Sequence, residues 1–221
     1  MIQANRPAIR FVSFILISLG LILTLSALMP IIQYELFVSP HITRKEFLSP
    51  VSKTTNVQNS PKDYKKASSW FEGDTNLSGV DYQVKHYKLS IPKLKIKDAV
   101  VEVGGDDLSK SLIHFGGTAL PGKPGNAVIF GHSTILSIYN PRNYVTVFSY
   151  LPTLKKGDEI FVDYDGITYK FKTEEMFEVK PDAVQILEQK EDSSYVTLVT
   201  CVPPGTYARR LIVRAKLVPY N

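Results

Sequence analysis

Glu159-Ile-Phe-Val-Asp-Tyr-Asp-Gly-Ile-Thr-Tyr-Lys-Phe-Lys172 reads as a β-hairpin. Two apolar/polar alternating runs, 159–164 and 167–172, flank Asp165-Gly166. Asp-Gly in that place is a strong hairpin signal, because both central residues of the tight turn need positive φ. Working outward, Tyr87, Leu89 and Ile91 alternate with Lys88 and Ser90 up to Pro92, and Ala99, Val101 and Val103 alternate in the same way. Ala127-Val-Ile-Phe130 is continuously apolar, as in a strand buried on both faces. Tyr195–Thr200 and Leu211–Val218 complete the set. Seven or eight short strands in residues 80–221, with brief helical candidates at Leu108–Ile113 and Ala183–Leu187, predict an all-β domain. The pattern fits a sandwich or a closed barrel.

The N-terminal part is of another kind. No charged side chain occurs in the 24 residues from Phe11 to Tyr34. At about 1.5 Å per residue this run is long enough to cross a hydrocarbon core. The run is apolar on every side, which argues against a buried globular helix with one apolar stripe. Arg6 and Arg10 could form the basic start of a secretory signal. The apolar run is long for one, however, and no small-x-small cleavage site follows, so an uncleaved single-pass anchor over 1–38 is expected. Pro30 kinks this helix or marks its outer end. Arg6 and Arg10 on one side are matched by Arg44 and Lys45 on the other, so charge bias scarcely sets the orientation. Residues 39–79 have the Ser/Thr/Asn/Lys/Pro composition of a tether. Trp70-Phe71 is the exception, a short helix or an aromatic plug on the folded part. The catalytic domain is expected over 80–221.

The net charge of +5 is spread over scattered lysines and arginines, with no basic run interleaved with stacking aromatics. This describes a mildly basic surface and excludes a nucleic-acid face. The single cysteine, Cys201, cannot form an intramolecular disulfide, which suits an exported domain. It ends an apolar strand just before Pro203-Pro-Gly205. A lone cysteine there is commonly a small buried hydrophobe. A nucleophile needs a base or cation to generate thiolate. Of four histidines, His41 and His86 read as surface residues, and His114 as a turn after a short helix. His132 directly follows the buried strand 127–131. Two strand ends facing each other across a barrel mouth would hold an imidazole and a thiol on rigid supports.

The motifs Thr197-Leu-Val-Thr-Cys201-Val-Pro-Pro-Gly205 and Arg210-Leu-Ile-Val resemble the signature of the sortases, cysteine transpeptidases of bacterial envelopes. Further matches are Ile91-Pro-Lys-Leu94, Gly116-Gly-Thr-Ala-Leu-Pro-Gly122, Gly125-Asn-Ala-Val-Ile-Phe-Gly-His132-Ser and Leu154-Lys-Lys-Gly-Asp158. The likeness covers residues 87–218. It implies a closed β-barrel of seven to eight strands with short helices, preceded by the single transmembrane helix. It also implies Cys201 as nucleophile, His132 as acid/base and Arg210 as the cation at the reacting carbonyl. Strand alternation lets only one of Arg209 and Arg210 face the cysteine, and the resemblance, through the family's nine-residue spacing from cysteine to arginine, implies that it is Arg210. Thr200, Ala119 and Val199 are the implied substrate-groove residues, and Asn126 and Ser133 flank and orient the histidine strand.

The implied partners are LPxTG-like sorting signals of secreted proteins, an amine of the cell envelope and the membrane, with the N-terminus cytoplasmic and the catalytic domain outside. The alternatives are a hydrolytic cysteine protease, a pilus-type sortase or an inactive anchored binding module. No cofactor or metal is implied: calcium-binding members carry carboxylates before the histidine strand, where Gly116–Gly125 has Lys123 and neither Asp nor Glu. The absence of an Asp-Pro lid pair in 39–86 and of a second span before Asn221 favours protein anchoring over pilus building, while Trp70-Phe71 leaves room for an atypical lid.

Overall fold

In the computed structural model, residues 6–47, 63, 65–70 and 82–219 are described. Helix α1 (Arg6–Gln33) leads through irregular helical turns at 34–41 into β1 (Thr43–Arg44). The barrel strands are β2 (His86–Ile91), β3 (Ile96–Val103), β4 (Leu112–His114), β5 (Gly125–Phe130), β6 (Glu159–Tyr164), β7 (Ile167–Val179), β8 (Ser194–Val202) and β9 (Arg209–Leu217). Among the described residues the sheet order is β1-β7-β6-β2-β3-β4-β5-β8-β9. An additional β7–β9 pairing closes strands β2 to β9 into a barrel, with β1 appended to β7. Closure removes the exposed strand edges that a sandwich would leave.

The β6–β7 hairpin turns at Asp165-Gly166, both at positive φ. One expectation is corrected: 108–113 is not a helix. Asp107 Oδ1 accepts the backbone N–H of Ser109 and folds 108–110 into a turn, and Leu112–His114 then forms β4 between β3 and β5. His114 is therefore a strand residue. It is fully buried, its Nδ1 lies 2.8 Å from the Tyr87 hydroxyl, and burial holds its imidazole down at about 4.

Alternation along the strands sorts the apolar side chains into two clusters. One, with Leu89, Val101, Ile129, Leu198 and Val213, draws on every strand from β2 to β9 and fills the barrel. Tyr34 and Ile42, from the segment after α1, belong to it. The other lies on the outer face of β4, β5, β7, β8 and β9 and contains Ile113, Phe130, Phe177, Val199, Cys201 and Ile212. It is covered by Ala67 and Trp70 from a 3₁₀ turn, and by Leu108, Ala183 and Ile186.

The segment after α1 is fastened to the barrel. Tyr34 donates its hydroxyl to Glu178 at 2.6 Å, and Arg209 donates Nε to the other oxygen of that carboxylate, also at 2.6 Å. Glu35 pairs with Arg209 and with Arg44. Glu178 is fully buried, so its charge depends on these partners.

Candidate active site

β5 and β8 run parallel, with Phe130 level with Val199. Two residues further along each, His132 comes level with Cys201. Three contacts hold this end: Gly131 N–H to Val199 O at 3.1 Å, Thr200 Oγ1 to Gly131 O at 2.8 Å, and Ser133 Oγ to Cys201 O at 2.6 Å. The expected arrangement across the barrel mouth is thus corrected. The two residues sit at the ends of neighbouring strands, on the outer face that Trp70 packs against. Gly131 has a packing reason: a Cβ there would lie 2.5 Å from Phe148 and 2.6 Å from Leu112.

On β9, Arg210 stands opposite Cys201 in register and Arg209 opposite Val202. Alternation sends the two arginines to opposite faces. Arg209 turns to Glu178 and Glu35, whereas the Arg210 guanidinium lies 5.0 Å from the centre of the Trp70 ring. Arg210 is 1% exposed. Its Nη1 donates to the carbonyls of Tyr207 (3.2 Å) and Arg209 (3.4 Å), and its buried Nε has no acceptor. Among the described residues no carboxylate pairs with it. A buried cation with an idle donor is costly unless something completes it, which marks this guanidinium as poised for a ligand oxygen.

Trp70 covers this face. Its ring centre is 5.9 Å from that of His132 and 5.6 Å from that of Phe130, and the residue is 1% exposed. The sequence suggested a short helix or an aromatic plug on the folded part, with room for an atypical lid, but gave no sign that Trp70 contacts both the imidazole and the guanidinium. The one available signal was the chain's single tryptophan inside a polar stretch. Under this cover, burial pushes the Cys201 thiol up to about 11, against the pull of Arg210. Burial also holds the His132 imidazole below its ordinary value, with Asp107 and Asp63 opposing. Both shifts favour the uncharged form of each group.

Of the remaining sequence candidates, Val199 is buried on the Cys201 face in the cluster with Trp70. Thr200 points to the opposite face, its hydroxyl engaged by Gly131 O. Ala119 is not brought to the three: it lies beside Gly125 at the start of β5, its N–H on Gln189. Asn126 is buried there too, bonded to Thr197 and to Ile186 O. No group of three His, Cys, Asp or Glu side chains that could hold a metal ion occurs among the described residues.

A family model for the Sortase domain matches residues 89–218. The chain belongs to the sortase family. Sortases are cysteine transpeptidases, and this chain is one. It is 26% identical over 181 residues to sortase A of Bacillus anthracis, covering 75% of this chain and 80% of that protein. Among solved structures it resembles the pilus-related sortase C of Group B Streptococcus, with TM-score 0.54, 30% identity and coverage of 63% and 70%. It also resembles a lid mutant of sortase A from Corynebacterium diphtheriae, with TM-score 0.54, 27% identity and coverage of 66% and 76%.

Proposed function

We propose that this sortase cleaves an LPxTG-like sorting signal between Thr and Gly and passes the acyl group to an amine of the cell envelope. Cys201 is the nucleophile, His132 the acid/base and Arg210 the donor to the carbonyl oxygen. The observation that carries this reading is the buried Arg210 guanidinium, without a carboxylate partner among the described residues, in register with the lone thiol. Because thiol and imidazole both rest uncharged, His132 takes the Sγ proton as sulfur attacks the Thr carbonyl carbon. The oxyanion that forms takes hydrogen bonds from Arg210, whose planar fork stays charged throughout. As the C–N bond to Gly breaks, His132 returns the proton to the leaving amine and a thioester remains. An incoming amine then attacks the thioester, loses its proton to His132 and restores the thiol. Thr200 acts here as a positioning residue, tying Gly131, and so the base of His132, to β8.

The α1 segment Phe11–Tyr34 is read as a single membrane span with the N-terminus cytoplasmic and the barrel outside. Protein anchoring is the reading of choice for the subtype. A pilus-type role is the second reading, favoured by one observation: Trp70 packs against both His132 and Arg210, as a lid would. Peptide entry requires that Trp70 leave.

Mass spectrometry of the full chain incubated with a panel of sorting peptides tests the proposal. An acyl adduct on Cys201 carrying the residues up to Thr, chased to an amide by an added amine, is expected. An adduct at another residue, or hydrolysis unaffected by any amine, would overturn it.

A further inference from the structure

The region where α1 meets the barrel is apolar on its outside. Leu36 and Phe37, just past the charged Glu35, are largely exposed, Phe37 at 69%. A cavity of about 430 Å³ opens between Pro30, Phe37 and Val38 on the helix side and Ile135, Leu136 and Pro204 on the barrel side. The barrel residues belong to the loops that leave His132 and Cys201, and Ile135 packs against Gly205 of the latter. Ile138, in the same 3₁₀ turn as Leu136, is 58% exposed.

On the other flank of Phe37 a second hollow is lined by the exposed Lys155 and Lys156 together with His41. Its carboxylates are Glu174 and Glu175. Glu175 is already held by Lys45 and Arg214, which leaves two lysines against Glu174.

The length of the span sets the depth of this face. The uncharged run of 24 residues from Phe11 measures roughly 36 Å as helix, more than the roughly 30 Å of a hydrocarbon core. Pro30 therefore falls at the outer edge of that core. Ile135 and Leu136, which share a cavity with Pro30, fall at nearly the same depth. The end of α1 is held to the barrel, because Tyr34 is buried and bonded to Glu178, and Arg209 holds both Glu178 and Glu35. Isolated apolar side chains on a protein surface need no explanation, but Phe37, Ile135, Leu136 and Ile138 are gathered beside a span end, with Lys155 and Lys156 on the far flank of Phe37.

We infer that this face, Phe37, Ile135, Leu136 and Ile138 flanked by Lys155 and Lys156, is a docking surface for an anionic lipid bilayer. It seats the barrel on the membrane with the loops that follow His132 and Cys201 at the headgroup level. The apolar side chains enter the interface and the lysines meet anionic headgroups, the combination that holds amphipathic surfaces on membranes. The inference rests on the reading of α1 as a span.

The test uses the full chain carrying Cys201→Ala and one new cysteine labelled with an environment-sensitive fluorophore, in nanodiscs containing spin-labelled lipid. Leu19→Cys reports the span, Ile138→Cys the docking face, and Lys123→Cys, near the start of β5, the far end of the barrel. Strong quenching at 19, quenching with a blue shift at 138 and neither at 123 are expected. Quenching at 19 with none at 138 would overturn the docking and leave the span standing. No quenching at 19 would overturn the span, and the docking with it. Adding Lys155→Glu and Lys156→Glu to the 138 reporter is expected to lower its quenching in phosphatidylglycerol nanodiscs to the level in pure phosphatidylcholine. Equal quenching with and without these changes in both lipids would refute the anionic component.

Discussion

Replacing Trp70 with Ala should make Cys201 much more reactive, and the size of the effect follows from the cover Trp70 provides. Burial pushes the thiol up to about 11. An open thiol titrates near 8.5, so uncovering it multiplies the thiolate present at pH 7 by roughly 300. The less basic thiolate is also the weaker nucleophile. With a Brønsted coefficient of about 0.45 over that interval, roughly a factor of thirteen is lost, leaving a net gain of roughly 20-fold. Freer access adds to this figure.

The assay is the rate of iodoacetamide alkylation as a function of pH, read by intact mass. It is clean because Cys201 is the only thiol in the chain. Loss of a buried tryptophan costs about 3–5 kcal/mol, a large share of a domain's stability, so the melting curve must accompany each rate. Trp70→Leu, which keeps part of the apolar cover, should fall between wild type and Trp70→Ala in both readouts. If folded Trp70→Ala alkylates at the wild-type rate with the wild-type pH midpoint, Trp70 does not set the environment of the thiol and the reasoning fails.

Other expectations are open to simpler tests. Arg210→Ala should lower peptide cleavage by roughly 10²–10³-fold with little change in melting temperature. Arg209→Ala should do the reverse, destabilising by about 3 kcal/mol because Glu178 loses its closest cation while cleavage by the folded fraction persists; a greater catalytic loss from the Arg209 change would exchange the two assignments. His114, held down at about 4 in the fold and near 6.5 when unfolded, takes up its proton more readily in the unfolded chain. Its contribution to stability is therefore complete above pH 6.5 and declines as pH falls toward 4, by about 3 kcal/mol, and His114→Phe should flatten that part of a urea-denaturation pH profile. Gly131→Ala should lower the melting temperature by several degrees, since its methyl meets Phe148 and Leu112 at under 3 Å; an unchanged melt would show that these side chains yield freely.

Much of the barrel was legible in the sequence because strand period and turn chemistry are local signals. The Asp165-Gly166 hairpin and the alternating runs of β2 and β3 have few other readings. β4 escaped because three residues buried on both faces carry no period, and a preceding turn held by the Asp107 side chain resembles the start of a helix. The second half of β7, from Thr173 to Val179, was missed for a related reason: a register shift between Thr173 and Glu175 breaks the alternation, and the strand persists because it pairs with β9 across the barrel closure. Trp70 and the Tyr34–Glu178–Arg209 clasp join segments far apart in the chain, and no local pattern announces such contacts.

The pair Arg209-Arg210 marks the boundary between these two kinds of information. Strand alternation states, from sequence alone, that one arginine faces Cys201 and the other does not. Which one does follows from the register of β8 on β9, which sets Arg210 opposite Cys201 and Arg209 opposite Val202. Glu178 sits on β7, 31 residues before Arg209 in the chain but at a bonded position beside it in the barrel, and it lies level with Leu211 rather than with Arg210. A buried carboxylate there demands a cation on its own face and takes Arg209. Arg210 stands on the cysteine's face, where among the described residues it meets two backbone carbonyls and the Trp70 ring and keeps an idle Nε. A chain in which Glu178 were neutral would free Arg209 without changing the direction of Arg210. Glu178→Gln should accordingly weaken the anchor of the juxtamembrane segment while sparing peptide cleavage, and a selective loss of cleavage would show that the two faces of β9 are coupled.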